Sequence, residues 1–194
     1  MILEGMVTTL DEAGRLNVAP MGPVVTPDLS RFLFRPYQTS RTYHNLKIRP
    51  QGVFHVVDDV ELIARAALDG LVDPPATFPA TRIVGQILSD ACRWFEFEVT
   101  RLDDREPRTE IDVRIVHEGR LRDHFGFNRA KHAVLEATIL ATRLHLLEES
   151  FVREELARWR TPYEKTAGPA EHRAWAFVVE TIERWYAARG TRTD

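Results

Sequence analysis

Arg35-Pro-Tyr-Gln-Thr-Ser-Arg-Thr-Tyr-His-Asn-Leu46 packs hydroxyls and guanidinium groups into what reads as a strand-to-helix turn. The strand-like run Arg31-Phe-Leu-Phe34 leads in, and a helix-like run, Thr42 to Arg49, leads out. The first N–H groups of a helix have no partner within it and carry the positive end of its dipole, so an anion is stabilised there. Thr39, Ser40 and Thr42 can donate to phosphate oxygens, and Arg35 and Arg41 can supply charge. The same residues also fit a plain helix start, with Ser40 as the cap and the arginines in solvent.

Moving outward, Pro50-Gln51-Gly52 ends this helix and Val53-Phe-His-Val-Val57 reads as a buried strand. Asp58-Asp59 can cap a second helix from Val60 to about Leu68. On the other side, Glu4–Leu10 reads as a strand and Asp11-Glu-Ala-Gly14 as a hairpin turn, with Gly14 suited to positive φ. Arg15–Ala19 returns as its partner, and Pro20-Met-Gly-Pro23 is expected to break it.

Further along, Leu71–Pro79 carries three prolines and is expected to be irregular, and Ile83–Leu88 reads as a strand. Cys92–Arg101 alternates, with Phe95, Phe97 and Val99 on one side and Glu96, Glu98 and Thr100 on the other. Asp103–Arg108 is a charged loop, Thr109–Val116 alternates again, and His117-Glu-Gly-Arg120 reads as a turn. Such a run of antiparallel strands predicts a closed or nearly closed barrel, which removes exposed edges.

After Gly126 the period becomes helical. Asn128 is expected to cap a helix to about Leu147, with Ala130, Ala133, Val134, Ala137, Leu140, Ala141, Leu144 and Leu147 as its apolar stripe. Ser150 is expected to cap a second helix, Phe151–Arg160, which Thr161-Pro-Tyr breaks. A last helix spans about Ala170–Ala188. The class is therefore α+β: a mainly β barrel domain over 1–126 and a helical C-terminal segment over 127–194.

The composition excludes several functions. The 194 residues are 44% hydrophobic and 28% charged, ordinary for a globular protein, and the net charge of −3 gives no general attraction to nucleic acid or anionic lipid. Cys92 is the single cysteine, so no internal disulfide forms. No apolar run nears the roughly 20 residues of a membrane span, and no basic-then-apolar leader is evident, so a cytoplasmic location is expected. The seven histidines are scattered and form no metal-site spacing, so no metal is expected. Neither a Gly-x-Ser-x-Gly elbow nor a Gly-x-Gly-x-x-Gly fingerprint is present.

The order of hairpin with Gly14-Arg-Leu-Asn17-Val-Ala-Pro20, strand, Thr39-Ser-Arg-Thr42-Tyr-His-Asn45 and strand Val53–Val57 resembles the FMN-binding split barrels, the flavin reductase-like and pyridoxamine-phosphate-oxidase-like proteins. Phe127-Asn-Arg-Ala130 narrows the resemblance to a group of archaeal and bacterial split-barrel proteins with a helical C-terminal extension. The resemblance implies an antiparallel split barrel that binds FMN as a homodimer, with flavin at the interface, and a flavin-dependent oxidoreduction of a small molecule. It places Asn17, Pro20, Met21 and Gly22 near the flavin ring edge. Arg35, Thr39, Ser40, Arg41, Thr42 and Asn45 fall at the phosphate, with Asn128 and Arg129 as a further anion contact. Where flavin reductases often carry a serine soon after Asn-x-x-Pro, this chain has Met21-Gly22. No acid–base pair stands out, so a flavin-storage, sensing or haem-related module on the same barrel is the alternative.

Overall fold

Asp11 and Gly14 make the first turn: Gly14 takes φ +79° and its N–H donates to Asp11 O, in a computed structural model that describes residues 1–190. The turn joins β1 (Gly5–Leu10) to β2 (Leu16–Met21). There follow β3 (Val24–Val25), β4 (Arg31–Phe34), α1 (Arg41–Ile48), β5 (Gln51–Val56) and α2 (Val60–Ala67). Next come β6 (Thr77–Pro79), β7 (Gln86–Leu88), β8 (Arg93–Asp103) and β9 (Glu110–Arg120), then α3 (Arg129–Ala141), α4 (Glu149–Thr166) and α5 (Pro169–Gly190). The described chain forms two units, residues 1–58 with 73–124, and residues 59–72 with 125–190.

In the first unit, seven strands form one antiparallel sheet in the order β2-β1-β5-β8-β9-β4-β3. The sheet curls until its β3 end meets the residues that lead into β1. Ile2 bridges Val24, Leu3 N–H donates to Pro23 O (3.1 Å), and Val25 N–H donates to Met1 O (2.9 Å). One margin is thus sewn to the start of β1 while β2 stays an edge, which is a split barrel. Its interior is filled by Phe32, Phe34, Phe54, Phe95 and Phe97, all buried, with Val7, Ile111 and Val113 around them. Phe34 and Phe97 lie 5.0 Å apart, and Phe32 meets Phe54 edge-on at 5.4 Å. Truncating any one of these rings would cost about 3–5 kcal/mol.

Several sequence expectations are corrected. Pro20 does not break β2 but pairs with Met6, because β2 is an edge strand and its missing N–H faces no neighbour. His117–Arg120 is not a turn: β9 runs on, and Gly119 pairs with Trp94. A side chain at 119 would run into the Trp94 indole, so the glycine serves close approach rather than reversal. Thr77–Pro79 forms a short strand against Gln86–Leu88, since the N–H groups of Thr77 and Phe78 remain available before the last proline, while Ile83–Gly85 only bends.

The second unit packs α2, α3, α4 and α5 around Val60, Ala64, Val134, Ala137, Val152, Val178 and Ile182. Asp59 caps α2 by accepting from the N–H groups of Glu61 and Leu62. Asn128 caps α3, but that helix stops at Ala141 rather than Leu147. Thr142 folds its hydroxyl onto Ile139 O (2.8 Å), and Arg143 and Leu146 donate three residues back, winding the chain into tight turns. Glu148, not Ser150, occupies the cap position of α4, and α4 runs through Pro162. Tertiary contacts offset the hydrogen bond that Pro162 cannot make: Tyr163 stacks on Trp175 at 4.5 Å, and Thr166 Oγ1 accepts from Ala130 N–H (2.9 Å).

His55 in β5 is fully buried and serves the barrel's architecture. Its Nδ1 faces Met6 O (3.3 Å) and its Nε2 accepts from Leu88 N–H (3.1 Å), which defines a neutral ring. Burial pushes its pKa down from 6.5 to about 3, against the opposing pull of Met6 O. Below pH 6.5 the unfolded chain takes up a proton that the folded one refuses, so this stability is complete above 6.5 and is lost as the pH falls toward 3. Between pH 7.5 and 5 the loss is about 2 kcal/mol from this group. His55→Gln should flatten that part of the pH dependence in urea unfolding, and an unchanged slope would contradict the assignment.

Candidate functional site

The two motifs that lie far apart in sequence meet at the start of α1. Asn17 on β2 donates through Nδ2 to Thr42 Oγ1 and to Thr9 Oγ1, both at 3.2 Å, and Asn45 Nδ2 donates to the same Thr9 oxygen at 3.0 Å. Thr9, Thr42 and Asn45 are buried and Asn17 is half-buried. The threonine hydroxyls accept within this cluster, so their own protons remain free to donate outward. Thr9 is a member that the sequence reading missed. It sits in a Thr-Thr step of β1, where nothing local distinguishes it from a strand residue.

Ser40 caps α1: its Oγ accepts from Tyr43 N–H (3.2 Å), and its own N–H closes a turn onto Tyr37 O (2.9 Å). The first turn of α1 holds no acidic residue, so nothing neutralises the helix start. Arg35, Thr39 and Arg41 are exposed around it, and among the described residues neither arginine has a carboxylate partner. The turn from 36 to 40 is pinned to the loop before β9. Gln38 Nε2 donates to Asp104 O (2.7 Å) and Glu106 O (3.0 Å), Gln38 N–H to Pro107 O, and Thr109 N–H to Pro36 O. Behind α1, Asp104 accepts from Tyr43 Oη and Lys47 Nζ, each at 2.7 Å. The bond from Lys47, and then that from Tyr43, lowers the Asp104 pKa, while the same Asp104 bond raises that of Lys47. These residues hold the turn in place from outside the predicted set.

Pro20, Met21 and Gly22 lie at the far end of β2, where Pro20 pairs with Met6 and Met21 with Gly5. Met21 leans on the barrel core. At Gly22 a side chain would come within 2.9 Å of the Glu4 carboxylate and Ile2 Cγ2, so those side chains would have to shift to admit one. Asn128 and Arg129 belong to the helical unit. Asn128 is engaged within that unit: Oδ1 accepts from Lys131 N–H and Nδ2 donates to Thr166 O, both at 3.1 Å. Lys131 pairs with Glu171 (3.1 Å); burial raises the Glu171 pKa, but the bonds from Lys131 and Gly168 N–H outweigh it and leave the carboxyl below its ordinary value. Arg129 is exposed.

Among the described residues no group of three or more His, Cys, Asp or Glu could hold a metal ion. No helix among them is long and apolar enough to cross a membrane.

A curled antiparallel sheet with a polar cluster at its first helix defines the split-barrel class. The chain belongs to the DUF447 family of that class: residues 3–122 match the N-terminal domain described as a protein of unknown function (DUF447), and residues 128–180 match the second DUF447 region. It is similar to an FMN-bound protein of the same family from Methanosarcina mazei, at 26% identity over 93% of this chain and 94% of that one, with a TM-score of 0.79. The barrel is also similar to 2-nitrobenzoate 2-nitroreductase from Pseudomonas fluorescens (22% identity, 61% and 64% of the chains, TM-score 0.51). A third similar structure is an FMN-binding protein from Thermus thermophilus (16% identity, 61% and 70%, TM-score 0.52). These last two likenesses concern the fold alone. No curated protein sequence matches the chain.

Proposed function

We propose that this protein binds FMN at the start of α1 and acts as a homodimeric, flavin-dependent oxidoreductase. The observation that carries the reading is the hydrogen-bonded union of Asn17 with Thr42, and of both motifs with Thr9, beside an uncompensated helix start. It gains weight from the FMN-bound relative of the same family. The donor set fits a phosphate monoester: hydroxyls from Thr39, Ser40 and Thr42, N–H groups of the first turn, and guanidinium charge from Arg35 and Arg41. Asn45 and Asn17 act through Thr9 and Thr42, fixing their hydroxyls. The Pro20–Gly22 backbone is assigned to the flavin ring edge, and Arg129 to a further anion contact. FMN supplies the electron-accepting and electron-donating chemistry when bound; the chain's part is to bind and orient it. Dimerisation is assigned to the seam beside Gly22, where Ile2 and Val24 expose apolar surface.

The test is a visible absorption spectrum of the protein before and after FMN addition and desalting, together with light scattering for mass. The expected result is a retained flavin band at one FMN per chain and twice the chain mass. A colourless protein with no measurable FMN affinity would sink the reading, and a monomer that retains flavin would sink the interface. One observation favours the second reading, a flavin-storage or sensing module: the joined side chains are amides and hydroxyls, with no titratable group among them. Anaerobic addition of NADH or NADPH separates the two. Bleaching of the flavin band supports turnover, and a band that persists with both donors favours the module.

A further inference from the structure

A groove of about 650 Å³ opens beside the 35–38 turn, within the barrel unit. Its volume is within the range of small-molecule sites, roughly 300–1,000 Å³. Its floor is rigid. Tyr37 and Arg108 form an antiparallel backbone bridge, flanked by Gln38 N–H to Pro107 O and Thr109 N–H to Pro36 O, each at 2.9 Å. Tyr37 keeps 60% of its surface exposed, so its ring is open to a ligand in the groove. The Arg108 guanidinium stands 5.9 Å from the Tyr37 ring centroid, and its Nε donates to Arg35 O (3.3 Å), leaving both terminal nitrogens to donate elsewhere.

The charges around the groove are unevenly spent. Asp103 is held by Arg105 and Arg101, and Glu110 lies 3.9 Å from Arg101. The Arg105 bonds hold the Asp103 carboxyl well below its usual range. Among the described residues Arg35 and Arg108 have no carboxylate partner, and Glu106 alone opposes them without an ion pair. An exposed aromatic face next to the unspent Arg108 guanidinium matches a ligand that joins a planar base to a phosphate.

We propose that this groove is a nucleotide site, distinct from the α1 site: the base stacks on Tyr37 and the phosphate is held by Arg108. A free adenine nucleotide and the adenylate half of a dinucleotide offer the same chemistry. Arg35 is left to the α1 site, so the proposal stands independently of the FMN reading and its variants avoid Arg35.

The test is calorimetric titration of the full chain, saturated with FMN where it binds, using ADP, oxidised NAD, adenosine and inorganic phosphate as probes. ADP is expected to bind one per chain without displacing flavin, with adenosine and phosphate each at least about tenfold weaker. Oxidised NAD binding tighter than ADP would assign the dinucleotide as the source, and NAD no tighter than ADP the free nucleotide. Arg108→Ala and Tyr37→Ala should each weaken ADP about tenfold, while Tyr37→Phe retains it, with thermal unfolding and flavin retention unchanged in all three. No ADP binding at millimolar concentration, phosphate as tight as ADP, displacement of flavin, or indifference to both alanine variants would each overturn it. Failure to bind FMN leaves this titration decisive on its own, so the two readings fail separately.

Discussion

Alanine at both Arg35 and Thr42 should weaken FMN binding by about 3 kcal/mol, roughly a hundredfold, because each position removes a hydrogen bond to a charged phosphate. Arg35 is exposed, so its loss leaves no hole. Thr42 is buried, but Asn17 keeps its bond to Thr9 when Thr42 is truncated, so the strand-to-helix junction stays tied. The thermal midpoint should therefore move by only a few degrees. Flavin fluorescence titration reads the affinity and a melting curve reads the fold. A variant that binds FMN as the parent does would show that α1 merely begins there and holds no phosphate. A variant that loses affinity only in proportion to lost folding would say the same.

Glu96→Ala should be the more damaging change to stability. Glu96 is fully buried in β8, and its carboxylate accepts from the N–H groups of Thr81 (2.9 Å) and Arg82 (2.6 Å). It thereby clamps the connection between β6 and β7 over the small core of Val53, Ile83 and Ile87. Two charge-assisted bonds are lost at roughly 1.5–3 kcal/mol each, but Thr81 and Arg82 are themselves exposed and water can take their N–H groups, so the net cost is about 3 kcal/mol. Glu96→Gln should cost about half, since one carbonyl oxygen still accepts while its NH₂ faces the other N–H. Urea unfolding at neutral pH measures both. An alanine variant within 1 kcal/mol of the parent would mean that the clamp adds little.

Glu96 also marks where sequence reading stops. Alternation along Cys92–Arg101 assigned it to the solvent side with Glu98 and Thr100, and its partners lie 15 and 14 residues back in a loop with no periodic signal of its own. A register shift between Glu96 and Phe97 further disturbs the alternation there. Features with local causes were legible: the Asp11–Gly14 turn, the Ser40, Asp59 and Asn128 caps, and the inward phenylalanines. Proline was misread at positions 20 and 162 for one reason. Its cost depends on whether a neighbouring strand or a packed partner is present, which is a tertiary fact. At the candidate site, the donor types of Asn17, Thr42 and Asn45 could be read from the chain, but the hub that joins them, Thr9, could not. A threonine in a β-rich run carries the same signal whether it faces a ligand-bearing helix or an ordinary neighbour.

The interleaving of the two units bears on how the chain is made. The helix α2 leaves the ribosome early, yet the helices that cover Val60 and Ala64 begin only at Arg129. At roughly 5–20 residues per second, the nascent chain carries an uncovered amphipathic helix for several seconds before its partners are synthesised. Truncating the gene after the barrel would make that interval permanent, so a product ending near residue 126 should be a chaperone client rather than a tractable minimal domain.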